Sequence, residues 1–449
     1  MAEYFGTDGV RGVANKELTP ELALELGKSG GKTLKKQAVS ASKSGESPAV
    51  IVGRDTRLSG DMFLGALGAG LNSIGVNIID LGIVPTPAVA YLASTQSTVG
   101  GIMISASHNP VADNGIKFFN ASGYKLTDAL EKDIEKNMKR ELKRAEHPHI
   151  GQYYENRKLI EKYIENIKNA IPVKPAGLEV IVDCAYGAAY ELAPHIFKSM
   201  GVDITAVNDE ARGDRINHKC GATNIGFIKE KVANSEADLG IALDGDSDRC
   251  ILVDEEGNEI DGDHIMCICG LHMMNQNKLN KKKIVTTRYS NLGLKEAINR
   301  AGGEIELADN GDKYVLNKMR EQNLSLGGEK SGHIIFLDHN TSGDGILTAL
   351  KVMSVMVEEE KSLKELAQKF TPWPQILTNV RVEKKREWSN NKNIKNTIKK
   401  AEKNLDEGRV FVRASGTEPV IRVMLEGKER KKLNKWKIKL ENIIKTELN

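Results

Sequence analysis

The chain has 449 residues and a formal net charge of +3, from 64 Lys and Arg against 61 Asp and Glu. Its 40% hydrophobic and 28% charged residues exclude a wholly disordered chain and a fibrous repeat. A prior of about 150 residues per domain predicts three or four domains. The apolar runs fall short of the roughly 18 residues of a membrane span. The N-terminus lacks signal-peptide features, and the five cysteines are scattered, so we expect a cytoplasmic protein that meets no membrane.

The first 150 residues alternate between predicted helices and strands, which is typical of an α/β sheet. A helix is expected after Thr19, because Thr is a good N-cap and Pro20 suits the first turn. Ser59 is expected to cap a second helix. A charged helix is expected over 127–145, followed by a polar linker that contains proline. Apolar, β-branched runs predict strands at 49–52, 77–79 and 101–104.

The same alternation begins again twice, and the pattern changes at about residue 370. Further strands are predicted at 180–182, 203–207, 239–243, 284–287, 304–307 and 334–336, and helices at 188–200, 227–235 and 291–300. The last part has strands at 374–383 and 409–413 around a helix rich in Lys and Asn. We therefore predict an α/β fold of three α/β/α domains and a smaller C-terminal α+β domain. Their predicted limits are 1–150, 151–255, 256–369 and 370–449.

The charge is distributed unevenly along the chain. Residues 381–449 contain 20 Lys or Arg and 10 Asp or Glu, a balance of +10, so a total of +3 leaves the first 380 residues with −7. Solvated lysines account for such a surface, and a bound anion is the functional alternative. The aromatic residues Trp388, Phe411 and Trp436 are not interleaved with the basic runs, as a nucleic-acid stacking surface requires. No nucleic-acid partner is expected.

Four loops carry residues that are suited to catalysis or to ligand binding. The first, at 105–110, follows a predicted strand and is ended by Asn-Pro, which places it at a strand's C-terminal edge, where α/β sheets bind ligands. In it Ser107 stands beside His108, as a nucleophile stands beside a base or charge stabiliser. An ordinary turn with a surface histidine is the alternative.

The second loop places Asp244, Asp246 and Asp248 at alternate positions, with Arg249 next. Three carboxylates together suit Mg²⁺ or Ca²⁺. A calcium EF-hand loop is the competing interpretation, since Glu255 lies where its twelfth-position ligand belongs. Arg249 occupies the position where that loop needs glycine, and the preceding residues are typical of a strand. The set therefore favours a metal beside a phosphate that the arginine also holds.

The third loop, at 327–333, is rich in glycine and permits close backbone approach. Glu329 and Ser331 offer hydrogen bonds to hydroxyl groups, and His333 is a candidate acid or base. A simple turn is the alternative.

The fourth loop lies in the basic part of the chain. Two guanidinium groups, two hydroxyls and a glycine form a predicted anion cradle from Arg413, Ser415, Gly416, Thr417 and Arg422.

In this order and spacing, the four loops resemble those of the α-D-phosphohexomutase superfamily. The resemblance also includes the opening loop at 5–12 and the stretches at 113–118, 220–223, 290–294 and 341–345, so it covers nearly the whole chain. It implies four domains around a central cleft. It also implies transfer of a phosphoryl group between the 6-hydroxyl and the 1-hydroxyl of a sugar.

The resemblance assigns a role to each motif. Ser107 would be the phosphoserine, with Ser105 as the nearby alternative. One Mg²⁺ would be held by a phosphate oxygen on Ser107 and by Asp244, Asp246 and Asp248. The transferring group would be surrounded by His108, Lys117 and Arg249, with Lys117 or His333 as acid or base. Glu329 and Ser331 would bind the sugar, and Arg413, Ser415, Gly416, Thr417 and Arg422 the other phosphate. Arg11 and Arg54 would add positive charge.

Within the superfamily, the bacterial members that act on glucosamine phosphates are most similar. The implied reaction passes through a sugar 1,6-bisphosphate, which also serves as activator, and leads to UDP-N-acetylglucosamine and peptidoglycan. Lys330 stands where these enzymes usually carry Gln, so a mutase for glucose or mannose phosphates is the alternative. A non-catalytic, calcium-dependent anion-binding protein is the alternative of another class. A sugar phosphate is the expected partner, and a homodimer is left open.

Overall fold

The computed structural model describes residues 3–6, 8–39, 47–415 and 419–449. The chain forms two compact units. The first comprises Met1–Tyr289 and Gly303–Lys369, and the second comprises Ser290–Gly302 and Phe370–Asn449. Within the described residues, the strands form four sheets.

The first sheet is mixed and has six strands in the order β1-β5-β4-β2-β3-β6. Strands β2, β3 and β4 run parallel, while β5 is antiparallel to both β4 and β1. Apolar side chains of the sheet and its helices, such as Val50, Ile102 and Phe118, form a buried core. The elements are β1 (Val10–Val13), α1 (Pro20–Val39), β2 (Ala49–Arg54), α2 (Gly60–Ser73), β3 (Asn77–Ile83), α3 (Thr86–Thr95), β4 (Gly100–Ile104), β5 (Asp113–Asn120), α4 (Asp128–Met138) and β6 (Tyr153–Glu155).

The second sheet has the order β11-β10-β9-β7-β8. Its parallel strands β7, β8 and β9 are extended by an antiparallel hairpin of β9 and β10. The elements are α5 (Ile160–Asn169), β7 (Glu179–Asp183), α6 (Leu192–Ser199), β8 (Asp203–Val207), α7 (Gly226–Ala233), β9 (Leu239–Leu243), β10 (Cys250–Asp254) and β11 (Glu259–Ile260).

The third sheet is also mixed, in the order β13-β12-β14-β15. A short antiparallel hairpin joins β14 to β15 and carries the third loop at its tip. The elements are α8 (Gly262–Asn275), β12 (Lys283–Thr287), α9 (Leu292–Arg300), β13 (Glu304–Ala308), α10 (Asp312–Gln322), β14 (Leu326–Gly328), β15 (Ile334–Phe336), α11 (Gly345–Glu359) and α12 (Leu363–Ala367).

The fourth sheet is antiparallel, with the order β16-β18-β17, and belongs to the second unit. Its elements are β16 (Gln375–Arg381), α13 (Lys392–Asn404), β17 (Arg409–Ala414), β18 (Val420–Glu426) and α14 (Arg430–Leu448). Helix α9 belongs to this unit as well, and the backbone N–H of Leu292 donates to Glu426 Oε1 at 2.8 Å.

The predicted fold class is confirmed: three mixed sheets with helices precede a smaller α+β domain. The domain limits at 150, 255 and 369 stay predictions. Two local expectations were wrong. Helix α2 begins directly after Ser59, as predicted, but the Ser59 hydroxyl makes no cap bond and accepts instead from Asn114 Nδ2 at 2.8 Å. Helix α4 ends at Met138, because Leu142 is the one large apolar residue in 139–145 and the segment has no apolar face to bury.

All five cysteines are buried and form no disulfide. Cys267 and Cys269 lie inside α8, as the sequence predicts for a buried helix. Among the described residues, no helix is both long enough and apolar enough to cross a membrane.

Candidate active site

Three aspartates lie close together on the loop between β9 and β10. Asp244, Asp246 and Asp248 are buried, and one ligand oxygen from each lies within 4.8 Å of those of the other two. Ser247, with φ of 58°, turns the loop back on itself. Strands flank the loop on both sides, whereas an EF-hand loop joins two helices. The loop is therefore a strand hairpin that concentrates negative charge.

Protein groups neutralise these carboxylates only in part. Burial, with the charges of Asp248 and Asp246, raises the pKa of Asp244 well above its usual range. For Asp246 burial acts in the same direction, but the Lys117 ammonium and its hydrogen bond outweigh burial and lower the pKa. The Oδ1 atoms of Asp246 and Asp248 are buried and accept no hydrogen bond from any described residue. Convergent carboxylates with unpartnered oxygens fit a hard divalent cation such as Mg²⁺.

Ser107 faces the aspartates from the loop that follows β4. Its Oγ donates to Asp244 Oδ2 at 2.7 Å and lies 3.2 Å from His108 Nδ1. The side chain is buried, and φ of 52° places the backbone in the left-handed region. A Cβ on Gly245 would lie 2.6 Å from the Ser107 carbonyl oxygen, so glycine permits the two loops to approach. The first two loops therefore meet at the Ser107 hydroxyl.

Ser105, the other serine of this loop, has a different environment. It is fully buried, and its Oγ donates to Asp55 Oδ2 at 2.6 Å. The same oxygen accepts from the backbone N–H of Ser107 at 2.9 Å. Both of these contacts support the loop, and the hydroxyl that faces the aspartates is that of Ser107.

Lys117, on β5, is buried against the aspartate loop. Its Nζ lies 2.6 Å from Asp246 Oδ2, 3.0 Å from Asp8 Oδ2 and 3.8 Å from Asp248 Oδ2. Burial alone would lower the pKa of Lys117, but Asp246, Asp8 and Asp248 outweigh burial and raise it. The lysine therefore stays an ammonium ion inside the cluster.

A second lysine connects this cluster to the third loop. Lys125 pairs with both Asp8 and Asp312, the latter at the start of α10. Asp312 Oδ2 lies 3.4 Å from His333 Nε2, which lies 3.8 Å from Asp248 Oδ2. Acidic and basic groups thus alternate around a closed ring of Asp8, Lys125, Asp312, His333, Asp248 and Lys117. The sequence prediction missed Asp8, Lys125 and Asp312, because their partners are distant along the chain.

The remaining groups beside Ser107 are His108, Arg249 and Arg11. Burial lowers the pKa of His108 to about 3, and the charges of Arg249 and Arg11 act in the same direction. The imidazole is therefore neutral near pH 7. Arg11 pairs with Asp8 and donates from Nη1 to Asn109 Oδ1 at 3.0 Å. Arg249 and Arg11 therefore bring positive charge close to His108, and the imidazole itself adds none.

The third loop closes the hairpin between β14 and β15. Glu329 Oε1 accepts from the backbone N–H of Gly311 at 3.1 Å, and the Glu329 N–H donates to the His333 carbonyl at 3.0 Å. Glu329 and Ser331 are half-buried, whereas His333 is buried. A Cβ on Gly343 would lie 2.6 Å from the His333 ring, so the following loop packs against the imidazole.

Lys330, the residue that differs from the expected pattern, is directed toward Asp261. Its Nζ lies 3.7 Å from Asp261 Oδ2, and Asp261 also caps α8 by accepting from the backbone N–H groups of Asp263 and His264. The ammonium group therefore has a partner at the start of a helix.

Arg54, which we expected to add charge to the site, has its own acidic partners. Its Nε lies 2.7 Å from Asp61 Oδ1, and its Nη1 lies 3.0 Å from Asp80 Oδ1. It lines a cavity of about 370 Å³ with Arg157 and Tyr190. None of its ion pairs among the described residues involves the aspartate loop.

The fourth loop joins β17 to β18 in the second unit. Arg413 and Arg422 are directly opposite each other in the strand register, and both are half-buried. Like charges in such positions repel, which an anion between them would relieve. Ser415 is buried beside them, and its N–H donates to the Val420 carbonyl at 2.9 Å. The predicted Gly416 and Thr417 lie outside the described residues.

Four sequence families match consecutive parts of the chain. They are the phosphoglucomutase/phosphomannomutase α/β/α domains I, II and III, at residues 2–145, 161–257 and 261–373, and the C-terminal domain at residues 377–442.

Full-length relatives agree with these matches. The chain is 48% identical to the phosphoglucosamine mutase of Natranaerobius thermophilus, with 99% of each chain covered. It is 46% identical to that of Caldanaerobacter subterraneus, with both chains covered completely.

Two solved structures show a similar fold. A phosphoglucomutase/phosphomannomutase family protein from Burkholderia thailandensis superposes with a TM-score of 0.81 at 24% identity, covering 98% of this chain and 96% of the other. The N-acetylphosphoglucosamine mutase of Aspergillus fumigatus, in complex with GlcNAc-6P and magnesium, gives 0.65 at 21% identity, with 85% and 94% covered. The loop motifs, the site and these matches together show that the chain belongs to the phosphoglucomutase/phosphomannomutase family.

Proposed function

We propose that this protein interconverts glucosamine 6-phosphate and glucosamine 1-phosphate through a phosphoserine at Ser107 and a sugar 1,6-bisphosphate. The observation that carries the proposal is the hydrogen bond of 2.7 Å from Ser107 Oγ to Asp244, at the centre of three buried carboxylates. The sugar is proposed from the relatives, which at 48% and 46% identity are phosphoglucosamine mutases.

Asp244, Asp246 and Asp248 would hold one Mg²⁺ together with a phosphate oxygen on Ser107. The buried Oδ1 atoms without hydrogen bonds support this assignment. When bound, the ion would supply positive charge to the phosphoryl group during transfer.

The chain's own residues would position and balance the transferring group. In the first half-reaction a sugar hydroxyl oxygen forms a bond to phosphorus as the bond from phosphorus to Ser107 Oγ breaks. Arg249 and Lys117 would neutralise charge on the phosphoryl oxygens. Neutral His108, 3.2 Å from Ser107 Oγ, would donate or accept a hydrogen bond there without adding charge.

In the first half-reaction the attacking sugar hydroxyl loses a proton and Ser107 Oγ gains one. In the second, the Ser107 hydroxyl loses a proton and the sugar oxygen that releases the phosphoryl group gains one. His333 and Lys117 are proposed for this exchange. Both are buried beside Asp248, His333 Nε2 at 3.8 Å and Lys117 Nζ at 3.8 Å from its Oδ2.

Glu329 and Ser331 would bind ring hydroxyls. The phosphate that is not reacting would be bound by Arg413, Ser415, Gly416, Thr417 and Arg422, as the sequence motif implies. Such contacts must accept the intermediate in both orientations. Hydrogen bonds to ring hydroxyls meet this need, and so does a pair of arginines that binds a phosphate, because neither contact depends on which end of the sugar reacts.

A kinetic comparison tests the proposal. With Mg²⁺ and glucose 1,6-bisphosphate present, kcat/KM is measured for the 6-phosphates of glucosamine, glucose and mannose. We expect the highest value for glucosamine 6-phosphate, and a preference for a neutral sugar would overturn the substrate assignment.

Intact mass tests the phosphoserine. The wild-type protein should gain one phosphoryl group from the bisphosphate, and Ser107→Ala should gain none and lose activity by at least about 10³-fold. Ser199→Ala, which removes a hydroxyl on α6, is the matched control and should behave like the wild type. Full activity of Ser107→Ala would reject the mechanism.

We also propose a cytoplasmic location, supported by five buried cysteines without a disulfide. The bisphosphate activator belongs to the same proposal, and a homodimer stays a prediction.

A further inference from the structure

One guanidinium group makes most of the side-chain hydrogen bonds to the backbone of the loop that carries Ser107. Arg57 lies just after β2, and its side chain is fully buried. Its Nη1 donates to the carbonyl oxygens of Pro110 at 2.6 Å and Asp113 at 2.8 Å. Its Nη2 donates to those of Ser107 at 3.0 Å and Asn109 at 2.8 Å. One side chain thus ties together four carbonyl groups along the loop.

Asp55 holds this guanidinium in place and also reaches the loop. Its Oδ2 accepts from Arg57 Nε at 3.0 Å and from Ser105 Oγ at 2.6 Å. Ser105 Oγ in turn accepts from the Ser107 N–H at 2.9 Å. The backbone of Ser107 is therefore fixed on both sides. Its carbonyl accepts from Arg57 and from Asn217 Nδ2, the latter at 2.9 Å, and its N–H donates to Ser105.

The conformation that these contacts hold is one that serine adopts rarely. Ser107 has φ of 52°, and a residue other than glycine needs compensating contacts to stay there. Relaxation toward the ordinary β or α region would rotate the side chain away from Asp244. The direction of Ser107 Oγ thus depends on the carbonyl contacts of Arg57.

We propose that Arg57 is a positioning residue for the phosphoryl transfer, acting through the backbone of Ser107 and supported by Asp55 and Ser105. This inference rests on the proposed function. Arg57 is not a catalytic residue in this proposal, because its hydrogen-bonding groups are occupied by the loop and by Asp55. Replacing Arg57 should lower the rate of phosphoryl transfer and leave substrate binding unchanged, since the sugar contacts lie on other loops.

Two variants test the proposal in the full-length protein. Arg57→Lys keeps the positive charge beside Asp55, but one nitrogen cannot serve four carbonyl groups. We expect kcat to fall about 10²-fold, the effect of a misplacement near 1 Å, with KM within about threefold of the wild type. Ser105→Ala removes the hydroxyl that joins Asp55 to the Ser107 N–H, and we expect kcat to fall about 10-fold with KM again unchanged. Ser105→Ala still tests the proposal if Arg57→Lys does not fold.

Ile134→Ala is the control for stability alone. Ile134 is fully buried in the core of the same domain, so its truncation lowers Tm without removing a contact of the Ser107 loop. Its kcat should stay near that of the wild type. The proposal is overturned if Arg57→Lys and Ser105→Ala keep kcat within threefold, if KM changes in place of kcat, or if Ile134→Ala loses as much kcat at the same Tm. Absence of mutase activity in the wild type would instead reject the proposed function.

Discussion

Replacing Lys117 by Met tests whether the lysine and the metal share the task of neutralising the aspartates. The ammonium lies 2.6 Å from Asp246, and both side chains are at most 1% exposed. Removing one partner of such a buried pair costs about 3–5 kcal/mol. Asp246 keeps a hydrogen bond of 2.5 Å from Thr86, and Asp8 keeps Lys125, so we expect the lower end, about 3 kcal/mol.

The assay is thermal unfolding with excess Mg²⁺ and with EDTA. Without metal, the loss should lower the Tm of the first unit by on the order of 4 °C. With Mg²⁺ the loss should be smaller, because the ion supplies positive charge to the same carboxylates. Activity should fall about 10²- to 10⁴-fold in either case, since the proposed acid or base is gone.

Lys283→Met is the matched control. This lysine pairs at the surface with Glu304 at 2.7 Å and Glu306 at 2.9 Å, where solvent screens the charges, so its removal should change the stability little. The reasoning is refuted if Lys117→Met loses the same stability with and without Mg²⁺, or if it loses no more than Lys283→Met.

Two further predictions concern the sugar contact and acid stability. Glu329→Gln should lower kcat/KM about 10- to 100-fold, the value of a hydrogen bond to a charged group, and a change below twofold would remove Glu329 from the sugar site. Burial, and then the charge of Lys351, lowers the pKa of His339 to about 4, below its value near 6.5 in an unfolded chain. The folded state thus resists protonation, so the stability that depends on this histidine is complete above about pH 6.5 and declines as the pH falls toward 4. Urea midpoints should show a shallower acid decline for His339→Gln, and identical slopes would contradict this origin.

The parts of the site that lie on a loop after a strand could be predicted from sequence. Ser107 and Asp244 each follow an apolar run, and the C-terminal edge of a sheet brings such loops together. The family resemblance favoured Ser107 over Ser105, but the residue pattern alone does not separate two serines on one loop. Only the packing decides which hydroxyl faces the aspartates and which one supports the backbone.

The residues that the sequence prediction missed act through contacts with distant segments. Arg57 is 50 residues from Ser107, and Lys125 is 187 residues from Asp312. A signal for Arg57 existed in the sequence, since it lies in the loop that follows β2, three residues after the strand ends. Arg54, three residues earlier, was expected to add positive charge to the site, but it pairs with Asp61 and Asp80.

The hydrogen bonds around Ser107 also determine at which stage the loop loses its conformational entropy. Fixing the backbone of a residue costs about 1–2 kcal/mol, so holding residues 105–110 in one conformation costs on the order of 6–12 kcal/mol. The contacts of Arg57 and Asp55 are internal to the folded chain, so this entropy is lost once, when the protein folds. The loop is therefore already ordered when the substrate binds. None of the substrate's binding energy is needed to order the loop, and this energy remains available for the reorientation of the sugar.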